Sequence, residues 1–289
     1  MAVVTDEPAG RGAAPGLGYE PAMRERAFVR LSGSGAAPER ASIAEEVPVA
    51  FIYSGRSHVV MMCSPSDLED LAAGFTLTEE IVPAFRDIGG IEVVRHSRGV
   101  ELHMEIPVAA ADRLATRARS LAGRTGCGLC GVEAIDDAVR APRPVGGSLA
   151  VDASALWRAG AALDEHQPVN RETRAVHAAA WATPDGALAV IREDVGRHNA
   201  LDKVLGALAR AGTDPREGFL VVTSRASFEL VQKTAVAGVQ LLAAVSRPTG
   251  LAVRIADSAG ITLVGLLRGR TANVYCHAAR IHAPQPQEP

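Results

Sequence analysis

Only four cysteines (Cys63, Cys127, Cys130 and Cys276) occur in 289 residues, too few for the disulfide framework of a small secreted fold. Positive charge is not in excess either: 30 Lys and Arg face 33 Asp and Glu, for a formal charge of −3. No global basic field therefore advertises a nucleic-acid or membrane partner. No apolar run is long enough to span a bilayer. The opening MAVVTDEPAGRGAAPG places acids and prolines where a signal peptide needs a continuous apolar stretch. These absences lead to the expectation of a cytoplasmic protein with reduced thiols.

What is present is a chain of ordinary globular composition, 47% hydrophobic and 22% charged. Residues 1–24 and 282–289, rich in Gly, Pro, Ala and Gln, are expected to be disordered. Between them, VPVAFIYS and SHVVMMC read as one hairpin, GIEVVRHS and GVELHMEIP as another. A helix is predicted over DLEDLAAGFTLTEEIV and a second over VAAADRLATRARSLA. The sequence thus divides into a β-rich N-terminal subdomain with helices (25–122), a mobile glycine-rich loop (123–133) and an α/β domain (134–281). In that last part SALWRAGAALDEH and HNALDKVLGALARAG read as helices, and GFLVVTS as a buried strand. SFELVQKTAVAGVQLLAAV reads as one helix, LAVRIA as a strand, and ITLVGLLRG with ANVYCH as a closing strand pair. Alternation of strands and helices predicts a three-layer α/β core.

The loop carries the first candidate chemistry, GRTGCGLCGVE. A zinc site needs four ligands, usually as two spaced pairs, and no second Cys-x-x-Cys or paired-histidine motif is present, so no metal is expected. A thioredoxin-like dithiol would have its first cysteine open a helix, which Gly126 and Gly128 disfavour. A third reading is a nucleophilic thiolate on a hinged arm. Arg124 nearby favours the ionised thiol, and the second cysteine can protect or relay.

Three further turns attract notice. IREDVGRHNALDK ends a strand and starts a helix, so Arg197 and the helix N-terminus offer an anion site. There His198 and Asp202 share a face at i,i+4, letting the carboxylate orient the imidazole. TSRASFELVQK places Arg225 among hydroxyls before a helix, and GLLRGRT is a glycine-arginine turn. Three oxyanion-friendly turns predict a large polyanionic ligand such as a nucleotide cofactor. His177, alone among small apolar residues, is expected to be structural.

Taken together, GCGLCG, VHAAA, REDVGRHNALDK, TSRASFELVQK and GLLRG…NVYCH resemble the FdhD family, sulfurtransferases needed for formate dehydrogenase activity. EEVPVAFIYSG and DLEDLAAGF extend the likeness to the N-terminal part, so it covers about Ile43 to Ile281. The resemblance implies a cytidine-deaminase-like α/β core and a homodimer. It implies that a cysteine desulfurase hands sulfur to the loop as a persulfide. The loop then sulfurates the molybdenum bis(molybdopterin guanine dinucleotide) cofactor before its insertion into formate dehydrogenase. By motif position, Cys127 is the persulfide-forming residue and Cys130 the assisting or relaying thiol. The family's cofactor-binding turn falls on Leu266, Leu267, Arg268, Gly269, Arg270 and Thr271, for which a guanine nucleotide is the simple analogue.

Two positions depart from the family pattern. Thr173-Arg174-Ala175 stands where a Thr-Gly-Gly is common, and the second arginine of GLLRGRT is displaced by one position. A zinc-dependent deaminase would need His-x-Glu and a downstream Pro-Cys-x-x-Cys. His177-Ala178-Ala179 lacks the glutamate, which excludes that chemistry. A passive holder of the cofactor, with idle cysteines, and a dithiol oxidoreductase remain as the other classes.

Overall fold

The computed structural model describes residues 16–120 and 144–283. Two strand hairpins form where the alternation predicted them: β3 (Val47–Tyr53) with β4 (Arg56–Cys63), and β5 (Gly90–His96) with β6 (Gly99–Glu105). Strands β3 and β6 pair in parallel, giving a four-stranded sheet in the order β4-β3-β6-β5. Every second residue of β3 is buried, and Val47, Val49, Phe51 and Tyr53 share a core with Leu68, Leu71, Ala72 and Phe75 of helix α1 (Leu68–Thr78). This is the period-2 face of a half-covered sheet meeting a helical stripe. Helix α2 (Val108–Ser120) follows.

The second half builds a six-stranded sheet in the order β13-β12-β11-β10-β8-β9. Its strands are β8 (His177–Ala182), β9 (Leu188–Asp194), β10 (Phe219–Val222), β11 (Leu241–Ala244), β12 (Thr262–Arg268) and β13 (Thr271–Cys276). Strands β10, β11 and β12 run parallel, and β8 is antiparallel to β10. One face is covered by α3 (Ala153–Glu165), through Leu156, Ala159 and Leu163. The other is covered by α5 (Arg197–Ala211), α6 (Phe228–Val236) and α7 (Gly250–Ala259). Buried on both faces, β10 and β11 are continuous apolar runs, FLVV and LLAA, as parallel strands between helices must be. This is the three-layer α/β core that the alternation of strands and helices predicted. Short α4 (Pro168–Thr173) precedes β8, and a two-strand patch, β7 (Val151–Asp152) with β14 (Ile281–His282), completes the fold.

Helices α1 and α5 cross at backbone contact. A Cβ on Gly74 would fall on the carbonyl of Asp202, and one on Gly206 on the carbonyl of Asp70. These reciprocal glycines press the N-terminal layer onto the core.

Several expectations are corrected. Residues 16–24, assigned to a disordered arm, form a 3-10 turn (Leu17–Tyr19) against β5 and β6 and the start of β1 (Met23–Ser32). Strand β1 pairs with β2 (Gly35–Ala44) in an outlying ribbon whose exposed side chains gave no clear periodic signal. The long helix read from SFELVQKTAVAGVQLLAAV stops at Val236, because Gly238 turns with φ +74°, and LLAA then enters the sheet. LAVRIA is helical, not a strand. Thr249 caps it by accepting from the Ala252 N–H at 3.2 Å, and Gly260 ends it in the left-handed region. The buried Ala252, Ile255, Ala256 and Ala259 follow the helical period. Residues 1–15 and 284–289 lie outside the described residues, so the rest of the expected arm and tail does too.

Candidate functional site

Strand ends and helix starts converge on one edge of the six-stranded sheet. Because β8 is antiparallel to its neighbours, its first residue, His177, lies beside the carboxyl ends of β9 and β10; His177 pairs in register with Asp194. Segments leaving β10 and β11 start α6 and α7 from the same edge. In open α/β sheets that edge is where ligands bind. Arg197, His198, Arg225 and the Leu266–Thr271 turn all project from elements ending there.

The motif REDVGRHNALDK proves to have two jobs. Arg192 binds Asp70 of α1, at 2.8 Å through Nε and 2.7 Å through Nη2. Glu193 accepts the Val169 and Asn170 N–H groups at 3.0 and 2.8 Å, closing the start of α4. Asp194, fully buried, accepts from the Ser64 and Gly196 N–H groups and from Asn199 Nδ2, and pairs with Lys203 at 2.6 Å. Lys203 Nζ also donates to the Ser64 carbonyl at 3.1 Å, and Asn199 Nδ2 to that of Met62 at 3.0 Å. Most of the motif thus bolts the N-terminal layer to the core, where every buried polar atom needs a partner. Only Arg197 and His198 are left for the crevice.

Asp202 does not orient His198. Its carboxylate is buried and accepts from Thr78 Oγ1 at 2.8 Å, with Lys233 Nζ at 3.0 Å. Burial pushes this carboxyl up, while Lys233 pulls it down. The partner of His198 is Glu229, whose Oε2 lies 3.7 Å from Nε2, with Ser227 Oγ at 3.4 Å. Burial would raise the Glu229 carboxyl, yet hydrogen bonding from His198 and Ser227 outweighs it and brings it down to about 2. The i,i+4 spacing could not reveal this, because Glu229 comes from α6.

The glycine-arginine turn begins inside its strand. Leu266 has φ +54°, the register of β12 against β13 breaks between Gly265 and Arg268, and the Leu266 N–H donates to the Ser246 carbonyl at 3.1 Å. A leucine in the left-handed region costs about 1–2 kcal/mol, the kind of strain that collects at functional sites. Leu267 is buried against Gly160 of α3 and anchors the turn. Exposed Arg268 reaches back to the Val245 carbonyl at 3.4 Å, at the end of β11. Gly269 turns with φ +54°, and Thr271 Oγ1 donates to the Arg268 carbonyl. Arg270 instead lies 5.2 Å over the Trp157 ring on the opposite layer, so the two arginines part company. Arg225 is exposed on the segment between β10 and α6.

Cys127 and Cys130 lie outside the described residues, as does the whole 123–133 loop. Cys63 is buried beside Asp194, and burial first, then that carboxylate, pushes its thiol well up, which makes it inert. Cys276 is half-buried and its Sγ donates to the Ile261 carbonyl at 3.2 Å. His177, expected to be structural, opens β8 opposite Asp194, which lies three residues before Arg197. Burial first, then Arg197 and next His198, holds its ring below the usual histidine range. Arg174, at one of the departing positions, adopts φ +55° after α4, a conformation that suits glycine.

Fold and crevice define the class: a three-layer α/β protein with a basic, histidine-bearing crevice edge and a β-rich layer clamped to its flank. The chain belongs to the FdhD/NarQ family, whose model matches residues 44–282. It is 48% identical over 259 residues to the sulfur carrier protein FdhD of Bordetella petrii, covering 89% of this chain and 93% of that one. The sulfur carrier protein FdhD of Xanthomonas axonopodis pv. citri is 47% identical over 274 residues, 95% of each chain. The crystal structure of a candidate formate dehydrogenase accessory protein from Desulfotalea psychrophila shares the fold, with a TM-score of 0.74 at 22% identity over 91% of this chain and 100% of that one. Among the described residues no helix is long and apolar enough to cross a membrane.

Proposed function

We propose that this chain is a sulfur carrier. It takes sulfur from a cysteine desulfurase as a persulfide on Cys127 and passes it to the molybdenum bis(molybdopterin guanine dinucleotide) cofactor, its substrate, for use by formate dehydrogenase. What carries the reading is the intact GCGLCG loop in a chain nearly half identical to proteins named sulfur carrier protein FdhD. In the loading step the Cys127 thiolate attacks the outer sulfur of the desulfurase persulfide. The sulfur–sulfur bond breaks, the desulfurase leaves as a thiolate, and Cys127 holds the persulfide. Cys130 assists or relays. The guanine nucleotide ends of the cofactor bind along the crevice edge, at the Leu266–Thr271 turn through Arg268 rather than Arg270, and at Arg197, His198 and Arg225. The working form is read as a homodimer in the cytoplasm.

Mass spectrometry after incubation with a desulfurase and cysteine tests the loading step. The wild type should gain one sulfur atom and Cys127→Ala none. Activation of formate dehydrogenase in cells by Cys127→Ala would refute the assignment. Normal activation by the Cys127→Ala, Cys130→Ala double variant would favour a passive holder instead.

A further inference from the structure

We propose that His177, Arg197 and His198 form an oxyanion subsite that takes the diphosphate group of a nucleotide-bearing ligand, apart from the Leu266–Thr271 turn. For the identity of the whole ligand, this rests on the cofactor reading above.

Three elements bring these side chains together. His177 opens β8 in register with Asp194, the last residue of β9; two residues later Gly196 precedes α5, which begins with Arg197 and His198. His198 Nε2 lies 3.4 Å from Oγ of Ser227, the residue just before α6. Among the described residues, Arg197 Nε is buried yet has no hydrogen-bond partner. An unsatisfied buried donor costs about 1–3 kcal/mol, so it marks a place for an acceptor.

The charge balance points the same way. Among the described residues, Asp194 is paired with Lys203 at 2.6 Å and Glu229 lies 3.7 Å from His198. Arg197 and His177 remain to meet an incoming anion. The first N–H groups of α5 add donors, since Gly196 offers no side-chain cap. A guanidinium fork with imidazole and backbone donors around it matches a tetrahedral, multiply charged phosphoryl group better than a planar monoanion. Arg268 leaves β12, three strand spacings or about 14 Å from β8. Two anion-friendly points that far apart suit an extended nucleotide rather than one phosphate.

Binding is coupled to His177. Arg197 and His198 from α5 oppose its protonation, and Asp194 from β9 favours it less. A phosphoryl group beside the ring reverses that balance and raises its pKa.

Histidine-ring NMR of the full chain, with signals assigned by His177→Gln and His198→Gln, tests this with three probes: inorganic pyrophosphate, guanosine and GDP. Pyrophosphate alone should shift the His177 and His198 signals saturably and move the His177 titration midpoint upward. Arg197→Gln should weaken pyrophosphate by about tenfold to a hundredfold, and Arg197→Lys, which keeps the charge, by less. Circular dichroism establishes that the variants fold. No saturable shift at either ring, or a folded Arg197→Gln with unchanged affinity, overturns the subsite. GDP saturating wild type and Arg197→Gln alike would remove the subsite and leave the nucleotide reading standing. Arg197-dependent pyrophosphate binding with GDP no tighter than pyrophosphate would do the reverse.

Discussion

Lys203 Nζ lies 2.6 Å from Asp194 Oδ2 with both side chains fully buried, and the pair sits between the two halves of the molecule. Asp194 ends β9, Lys203 lies in α5, and both also hold the backbone of Ser64. Removing one member of a buried pair leaves an uncompensated charge. Lys203→Met should therefore cost about 3–5 kcal/mol in denaturant unfolding. A loss below about 1 kcal/mol would show that the pair does not clamp the layers.

Gly74 and Gly206 should reverse the usual helix rule. Replacing a mid-helix glycine with alanine ordinarily stabilises by about 0.5–1 kcal/mol. Here either Cβ would collide with the facing backbone, Asp202 for Gly74 and Asp70 for Gly206. Overpacking of this sort costs about 1–3 kcal/mol. Thermal melts of Gly74→Ala and Gly206→Ala should both fall, and a rise in either would contradict the close crossing.

Glu229 should leave a signature in acid. Its carboxyl titrates at about 2 when folded, against an ordinary 4.5. A lowered folded value stabilises above the unfolded pKa, and that stabilisation disappears as pH falls from about 4.5 toward 2. The site is partly solvated, so the contribution is about 1 kcal/mol. Wild type should exceed Glu229→Gln by that margin at pH 6, and the curves should converge near pH 2. A margin that persists unchanged in acid would rule out the ionised carboxylate as its source.

The arginines of the GLLRGRT turn should behave differently. Arg268 projects from the crevice edge, while Arg270 lies on Trp157. Arg268→Ala should weaken GDP by about tenfold or more in calorimetry. Arg270→Ala should leave GDP nearly unchanged, cost about 0.5–1 kcal/mol of stability and alter Trp157 fluorescence. The other tryptophan, Trp181, is buried and hydrogen-bonded to the Pro215 carbonyl. Equal effects of the two variants on GDP would show that both arginines face the ligand.

Much was legible in the linear chain. The hairpins over 47–63 and 90–105, helices α1 and α5 and the buried strand β10 follow from periodicity, because alternating or 3.6-spaced burial is a local property. The glycine-flanked cysteine pair and the three basic turns were visible for the same reason. LLAA and LAVRIA, taken as short apolar runs, fit either a buried strand or a buried helix; only over the longer LAVRIADSA does the helical spacing of Ala252, Ile255, Ala256 and Ala259 emerge. The Thr249 cap and the turns at Gly238 and Gly260 were the signals that separate them.

By itself, then, the sequence determined most of the element types, the family likeness and the chemistry available at GCGLCG, REDVGRHNALDK and GLLRGRT. Only the tertiary structure decided which of those residues stay at the crevice edge and which turn into the interior. It turned Asp194, Asn199, Asp202 and Lys203 inward as a clamp, paired His198 with Glu229 rather than Asp202, and set His177 opposite Asp194 at the strand end that leads into Arg197. The physical reason is that a charged side chain in a low-dielectric interior must find a counter-charge or donors wherever they lie in space. Those partners come from elements far along the chain, so no local pattern can announce them.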